Sequence, residues 1–478
     1  MTTDVLPDDV LVEIFFHVNT TDWPYVQNPW HALVHVCRRW RYLVFAFPRR
    51  LNLRLEYRGH GPISEVLGVW PFLPVTLVSS VEVLSRGLGL LHPKSDQRWD
   101  NRVAALESEH YDRICEIRIV DMTDSRWKRF TEAMQKPFPE LTYLQVSTLG
   151  YGEEAPAPVL PDSFLGGSAP HLRELSLRSI PFPSITRLLL SANGLVTLTL
   201  WNIPDSGYIS ADAMSTALTT MTRLESLILE FSSPLSPPDP ASRPLPPPTR
   251  FVLPALAELM FKGVFEYLEV LLARIDAPFL YDLYVVFFID FDFDLPQLRR
   301  IIGHAEELKA LNHAQVLISN HAIQLDLYHK TGSVYHRERL MLEINCGELD
   351  WQLSSLAHVC SSPFPLISTI ENLKIRESDL LPSSHWNDNM EDTRWLELLG
   401  PFTALKNLYL TDEIARRVCG ALGGLSGERP TELLPELRNL FVDVFRSSKN
   451  IEKAIRPFVA ARQLSGHPVA IDRWRRWR

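Results

Sequence analysis

Apolar positions recur along this chain with two different periods. Near the start, "LPDDVLVEIFFHV" carries Val10, Leu11, Val12, Ile14, Phe15, Phe16 and Val18. At about 100° per residue these spread over about 240° of a helix, whereas a helix lying on one core shows a stripe nearer ~100° wide. Pro7 suits a first turn whose N–H groups have no partner, and Asp8 and Asp9 face the positive end of the helix dipole, so a helix is predicted from residue 7. Beyond Trp23, Pro24 and Pro29 comes "WHALVHVCRRWRYLVFAF". Its Leu33, Val36, Cys37, Trp40, Leu43, Val44 and Phe47 share one helical stripe, Arg38, Arg39 and Arg41 point elsewhere, and Pro48 breaks the run. Modules of about 45 residues rarely hold a core unaided, so another surface must cover part of this one.

From residue 114 the apolar period becomes two. An L-x-x-L-x-L pattern stands at Leu141/Leu144/Val146, Leu172/Leu175/Leu177, Leu195/Leu198/Leu200, Leu224/Leu227/Leu229, Leu256/Leu259/Phe261 and Leu280/Leu283/Val285. It returns at Ile370/Leu373/Ile375, Leu405/Leu408/Leu410 and Leu437/Leu440/Val442, with an isoleucine version at Ile114/Ile117/Ile119. The gap between Leu280 and Ile370 has room for two more units, and "HAQVLIS" and "RLMLEIN" offer strands at Val316 to Ile318 and Leu340 to Ile344. The alternation is that of a strand, while "ADAMSTALTTM" and "LEVLLARI" between copies read as helix. Pro139, Pro170, Pro254, Pro278 and Pro435 each precede the first leucine of a copy by two residues, where proline is expected to end the preceding helix. "ISEVLGVWPFLPVTLVSSVEVL" reads as a helix followed by strand material, joining the N-terminal helices to the first copies. Such strand-plus-helix units leave an apolar face bare and must stack on their neighbours. A doubly wound enzyme would instead show continuous apolar strands and a glycine-rich turn, and neither is evident.

Charge and composition narrow the partners. An apolar fraction of 46% is ordinary for a folded chain, and a net charge of −9 argues against general nucleic-acid binding. The cysteines at 37, 115, 346, 360 and 419 form no C-x-x-C pair or metal spacing, so buried thiols in a reducing compartment are expected. No apolar run reaches the roughly 18 residues of a membrane span, and "MTTDVLPDD" is no signal peptide. An intracellular chain, cytoplasmic or nuclear, is expected.

The opening Leu6-Pro7, Val10, Leu11, Ile14 and Phe15, then Leu33 and the run Val36-Cys37-Arg38-Arg39-Trp40-Arg41 with Leu43, resembles an F-box. That resemblance implies docking on the Skp-type adaptor of an SCF-type cullin-RING ubiquitin ligase. It also implies an adaptor-binding set of Leu6, Pro7, Leu11, Ile14, Phe15, Leu33, Val36, Cys37, Trp40 and Leu43. "NTTDWPYVQNP" makes its middle longer than the family pattern. The later copies resemble leucine-rich repeats, departing from them in uneven period and in lacking the asparagine or cysteine that usually follows the strand. The layout resembles the F-box proteins with degenerate leucine-rich repeats that are numerous in mushroom-forming fungi. The expected fold is therefore α/β: an F-box-like helical module (1–50), a connector (51–110), an irregular leucine-rich-repeat solenoid of strand plus helix per repeat (111–445), and a C-terminal cap with a basic tail (446–478).

Little chemistry stands out. "GGSAP" lacks the closing glycine of a nucleophile elbow, and no phosphate-binding G-x-x-x-x-G-K-[ST] loop is present. Asp290, Asp292 and Asp294 are spaced as in a calcium loop, but the glycine is missing and Ile301 stands where the bidentate glutamate should be. His313, His321, His329 and His336 are scattered, so no metal, cofactor or enzymatic activity is expected. "SSPLSPPDPASRPLPPPTR" (232–250) reads as a proline-rich insertion between repeats, and "RWRRWR" (473–478) as a terminus folding back on the last repeat. In each copy the residue between the last two apolar positions should face away from the core: Gln145, Ser176, Thr199, Ile228, Met260, Tyr284, Lys374, Tyr409 and Phe441. Ile228, Met260, Tyr284, Lys374, Tyr409 and Phe441 are the expected target-binding row.

Overall fold

The structure, a computed structural model, describes residues 6–20, 30–48, 50–69, 73–79, 94–148, 159–182, 185–234, 250–288, 295–329, 339–346, 348–361, 366–378, 392–425, 429–442 and 448–473. Two compact units divide the chain, Met1–Tyr208 and Ile209–Arg478. Asp290, Asp292, Asp294, His336, residues 474–478 and most of the proline-rich insertion lie outside the described residues.

The first unit opens with three helices, Asp8–Thr20, Trp30–Val34 and Arg38–Ala46. Strands β1 (Leu55–Tyr57), β2 (Val75–Val78), β3 (Ile114–Met122), β4 (Tyr143–Thr148), β5 (Glu174–Arg178) and β6 (Thr197–Ile203) follow. Each pairs in parallel with the next. Parallel neighbours need a crossover between them. Helices Ile63–Val69, Lys94–Glu107, Asp124–Ala133 and Ile185–Ser191 supply several of these. Residues 51–110, read as a connector, thus contribute the first two strands of the sheet.

The second unit contains β7 (Ser226–Phe231), β8 (Phe251–Val252), β9 (Glu258–Gly263), β10 (Ile275–Asp276), β11 (Asp282–Phe287), β12 (His313–Ile318), β13 (Ala322–Tyr328), β14 (Arg339–Asn345), β15 (Asn372–Glu377), β16 (Asn407–Leu410), β17 (Asn439–Val442) and β18 (Ala470–Arg473). β8 and β10 form a separate small pair, and the main sheet runs β7-β9-β11-β14-β13-β12-β15-β16-β17-β18. All its pairings are parallel except those of β13, which is antiparallel to both β12 and β14. The long gap therefore holds three strands, where the sequence suggested two. Ser319 closes a turn onto Ala322, its N–H bonding to the Ala322 carbonyl at 2.9 Å, and so few residues cannot carry a crossover, which forces an antiparallel return.

Burial alternates along the strands, so Leu227 and Leu229, Leu259 and Phe261, Leu283 and Val285 lie in the core while the residues between them are half-buried. The repeat also has a turn that the leucine pattern does not reveal. The N–H groups of Leu141, Leu172, Leu256, Leu280 and Leu437 bond to the carbonyls of Phe138, Ala169, Leu253, Ala277 and Leu434, all buried. Proline occupies the second position of each of these turns, where its fixed φ fits, so it shapes the turn into the strand instead of ending the helix. Copies without proline make the same bond, from Leu195 to Ala192, Leu224 to Met221 and Leu405 to Phe402.

Asparagines stitch the last repeats together. Asn372, Asn407 and Asn439 stand in register at the starts of β15, β16 and β17. The Asn407 amide donates to Asn372 Oδ1, and that of Asn439 to Asn407 Oδ1, each at 2.8 Å. In the first unit Ser179 and Asn202 follow β5 and sit near the end of β6 with φ of +57° and +54°, and the Asn202 amide donates to Ser179 Oγ at 2.7 Å. Asparagine tolerates that left-handed backbone better than most residues. Replacing Asn407 by alanine breaks two rungs of the ladder and is expected to cost about 1–2 kcal/mol, read as a shift of the urea midpoint at unchanged slope.

Candidate functional site

Two surfaces hold the residues picked out by sequence. The first is the N-terminal helical module. Leu11, Phe15, Leu33 and Leu43 are buried there with Val12, Trp30 and Val44, so they form the module's own core. These four belong to the expected adaptor-facing set. Ile14 (42% exposed), Val36 (57%), Pro7 and Cys37 lie on the surface, with Val10 at 40%. Leu6 and Trp40 are half-buried, the Trp40 ring lying 4.7 Å from that of Phe15. The wide apolar arc of the first helix is thus divided between an inner face and an exposed one.

The Cys37-Arg38-Arg39-Trp40-Arg41 run positions these helices. The Trp40 N–H donates to Cys37 Sγ at 3.4 Å, capping the helix Arg38–Ala46. Arg39 reaches back to the Leu6 carbonyl at 2.5 Å and the Asp8 carboxylate at 2.9 Å from its Nε. Arg41 Nε donates to the Val34 carbonyl at 2.9 Å, satisfying the end of the short helix. The module is also tied forward, with Trp30 Nε1 donating to the Arg54 carbonyl at 3.2 Å and the Leu51 N–H to the Phe47 carbonyl at 3.0 Å.

The second surface is the sheet face opposite the core. In the first unit the register aligns Gln145, Ser176 and Thr199 across β4, β5 and β6. Beside them the Arg118 guanidinium lies 4.4 Å over the Tyr143 ring. In the second unit Ile228, Met260 and Tyr284 are direct neighbours on β7, β9 and β11, and Lys374, Tyr409 and Phe441 on β15, β16 and β17. Met341, Asp326 and Gln315 of the three-strand insertion complete the row between them. The Tyr409 and Phe441 rings stack at 4.5 Å and 9°.

Ionisable groups flank the first half of this row. Lys262 pairs with Glu230 at 3.1 Å and Arg339 with Asp326 at 3.0 Å. Burial, reinforced by the charge of Glu258 and only partly offset by Arg339, pushes Asp282 up to about 6. Burial likewise raises Glu343, and burial together with nearby carboxylates raises Tyr284 to about 12. Sequence reading missed these acids because each belongs to a different strand.

On the helical side of the second unit, an open groove of about 610 Å³ is lined by residues of the helices Leu349–Ser361 and Asp392–Leu399, among them Trp351, Ser355, His358, Arg394 and Glu397. Among the described residues no group of three His, Cys, Asp or Glu could hold a metal ion, and no helix is long and apolar enough to cross a membrane.

No family model matches the chain, and no curated protein is similar to it. Among solved structures it is similar to the leucine-rich repeat-containing protein LegL7 from Legionella pneumophila, at 12% identity over 85% of this chain and 97% of that one, with a TM-score of 0.27. At that score the strands and turns described above, and not the neighbour, define the architecture.

Proposed function

We propose that the chain is a target receptor of an SCF-type cullin-RING ubiquitin ligase, its N-terminal module docking on a Skp-type adaptor and its sheet face holding a target protein. The observation that carries this reading is the division of the module's apolar residues. Phe15 and Leu11 make its core, yet Val10, Ile14 and Val36 remain in water on the same small unit. Exposed apolar side chains gathered on so small a module suit a protein contact. The stacked Tyr409 and Phe441 beside Lys374 suit one on the sheet face, since aromatic residues are enriched at interfaces.

A second reading has its own support. The bonds from Trp30 to Arg54 and from Leu51 to Phe47 would equally let the helices serve as a cap on the first strand of a repeat scaffold that joins no ligase. Mixing the purified chain with a recombinant Skp-type adaptor separates the two. Co-elution as a stoichiometric complex in size-exclusion chromatography is the expected result, and separate elution at micromolar concentrations leaves the scaffold reading.

A further inference from the structure

Granting that the sheet face of the second unit holds a protein target, its charge pattern specifies the kind. Met260, Tyr284 and Met341 lie side by side on β9, β11 and β14. Two residues earlier on their strands stand Glu258 and Asp282, and two residues later on β14 stands Glu343, all on the same face by the period of a strand. An apolar strip with an aromatic ring at its centre therefore has carboxylates along both sides, each about 7 Å away along the strand.

The local cations are already engaged. Lys262 is held by Glu230 and Arg339 by Asp326, both acids being largely buried. Among the described residues no ion pair joins Glu258, Asp282 or Glu343 to a cation; Glu258 accepts from the Tyr281 hydroxyl at 3.3 Å. Facing Asp282 are Glu258 from β9 and Arg339 from β14. The acids form no group able to close on a metal ion. An organic cation on a flexible apolar stem fits both features, because its methylenes cover the methionine and tyrosine surface while its charged end reaches either row.

We infer that the strip Met260–Tyr284–Met341 seats the stem of a lysine or arginine of the target, whose cation is held by Glu258 and Asp282 on one side of the strip or by Glu343 on the other. The target segment is therefore basic. A bound cation favours the ionised carboxylates, so affinity should fall as the pH is lowered through the raised range of Asp282.

Fluorescence anisotropy with the full chain tests this, using an extended peptide of lysines spaced by leucine and glycine and its counterpart with glutamate in place of lysine. The lysine peptide should bind, and Asp282→Asn with Glu343→Gln should weaken it about ten-fold or more. Removing equal charge at the exposed Glu307 and Glu348, by Glu307→Gln with Glu348→Gln, should change it less than about two-fold. Equal losses from both pairs would reduce the effect to net charge and overturn the assignment, as would failure of the lysine peptide to bind. Binding of the glutamate peptide that Tyr409→Ala weakens would also overturn the basic partner while keeping this face as the target surface. Insensitivity of either bound peptide to both Tyr284→Ala and Tyr409→Ala would remove the face itself.

Discussion

Replacing Arg462 by alanine is expected to lower the stability of the second unit by about 3–5 kcal/mol. The side chain is 1% exposed, and its guanidinium donates to five backbone carbonyls. Nη1 reaches those of Pro430 and Leu434 at 3.3 and 3.2 Å, Nη2 those of Pro435 and Leu437 at 3.1 and 2.9 Å, and Nε that of His467 at 3.2 Å. One residue of the helix Ser448–Leu464 thereby holds the turn that opens the last leucine copy and the approach to β18. Truncation strips the charged donor from these carbonyls and leaves a hole under Phe458, over whose ring the guanidinium lies. Lysine keeps the charge but not the planar fork, so Arg462→Lys should recover less than half of the loss. Urea denaturation gives the magnitude, and hydrogen exchange should show residues 429–442 and 448–473 losing protection first. A loss below about 1 kcal/mol would mean that water replaces the guanidinium at little cost.

The same helix has a second close contact, at Gly423. A Cβ there would overlap the Ala454 carbonyl, so the helices Asp412–Gly423 and Ser448–Leu464 approach backbone to backbone. Neither feature shows in a leucine pattern. An arginine in a terminal helix reads as surface, and only the fold of the preceding turn turns its donors inward.

What the sequence did disclose was the repeated element. The spacing of Leu175 and Leu177, or of Leu408 and Leu410, fixes which face of β5 or β16 is buried, because a one-residue slip would invert every side chain. β13 escaped because Ile323, Leu325 and Leu327 alternate without the leading leucine of the repeat. Only the brevity of the link between Ile318 and Ala322 could have pointed to it, by ruling out a crossover. For the N-terminal module, periodicity gave the width of the apolar arc but not which part turns inward. Phe15 and Ile14 are adjacent and equally apolar, and what separates them is the Trp40 ring against Phe15 and the Arg39 strut to Leu6 and Asp8. Glu258 and Asp282 become neighbours, and Glu343 comes to the other side of the same strip, only through the order β9-β11-β14, which reverses the chain order of the insertion.

If the N-terminal module docks on a Skp-type adaptor as proposed, the double change Ile14→Lys with Val36→Lys is expected to abolish that capture while leaving the module folded. Both side chains are exposed, at 42% and 57%, so charging them removes no core packing and should leave the circular-dichroism spectrum and melting temperature unaltered. Burying each against a partner contributes about 1.5–3 kcal/mol at most, and a lysine forced into that contact adds a desolvation cost. A combined loss of about 4 kcal/mol corresponds to roughly a thousand-fold in dissociation constant, enough to clear the adaptor from a pull-down. Phe15→Ala provides the contrast. That ring is fully buried against Trp40, so its removal should cost about 3–5 kcal/mol of stability and affect adaptor binding only through unfolding of the module. Trp40→Ala discriminates less well, because a half-buried ring resting on Phe15 contributes to the core as well as to the exposed face. Capture of adaptor by the doubly charged variant at wild-type yield would place docking elsewhere. Loss of helical signal in that variant would instead show that Ile14 and Val36 support the module's own fold.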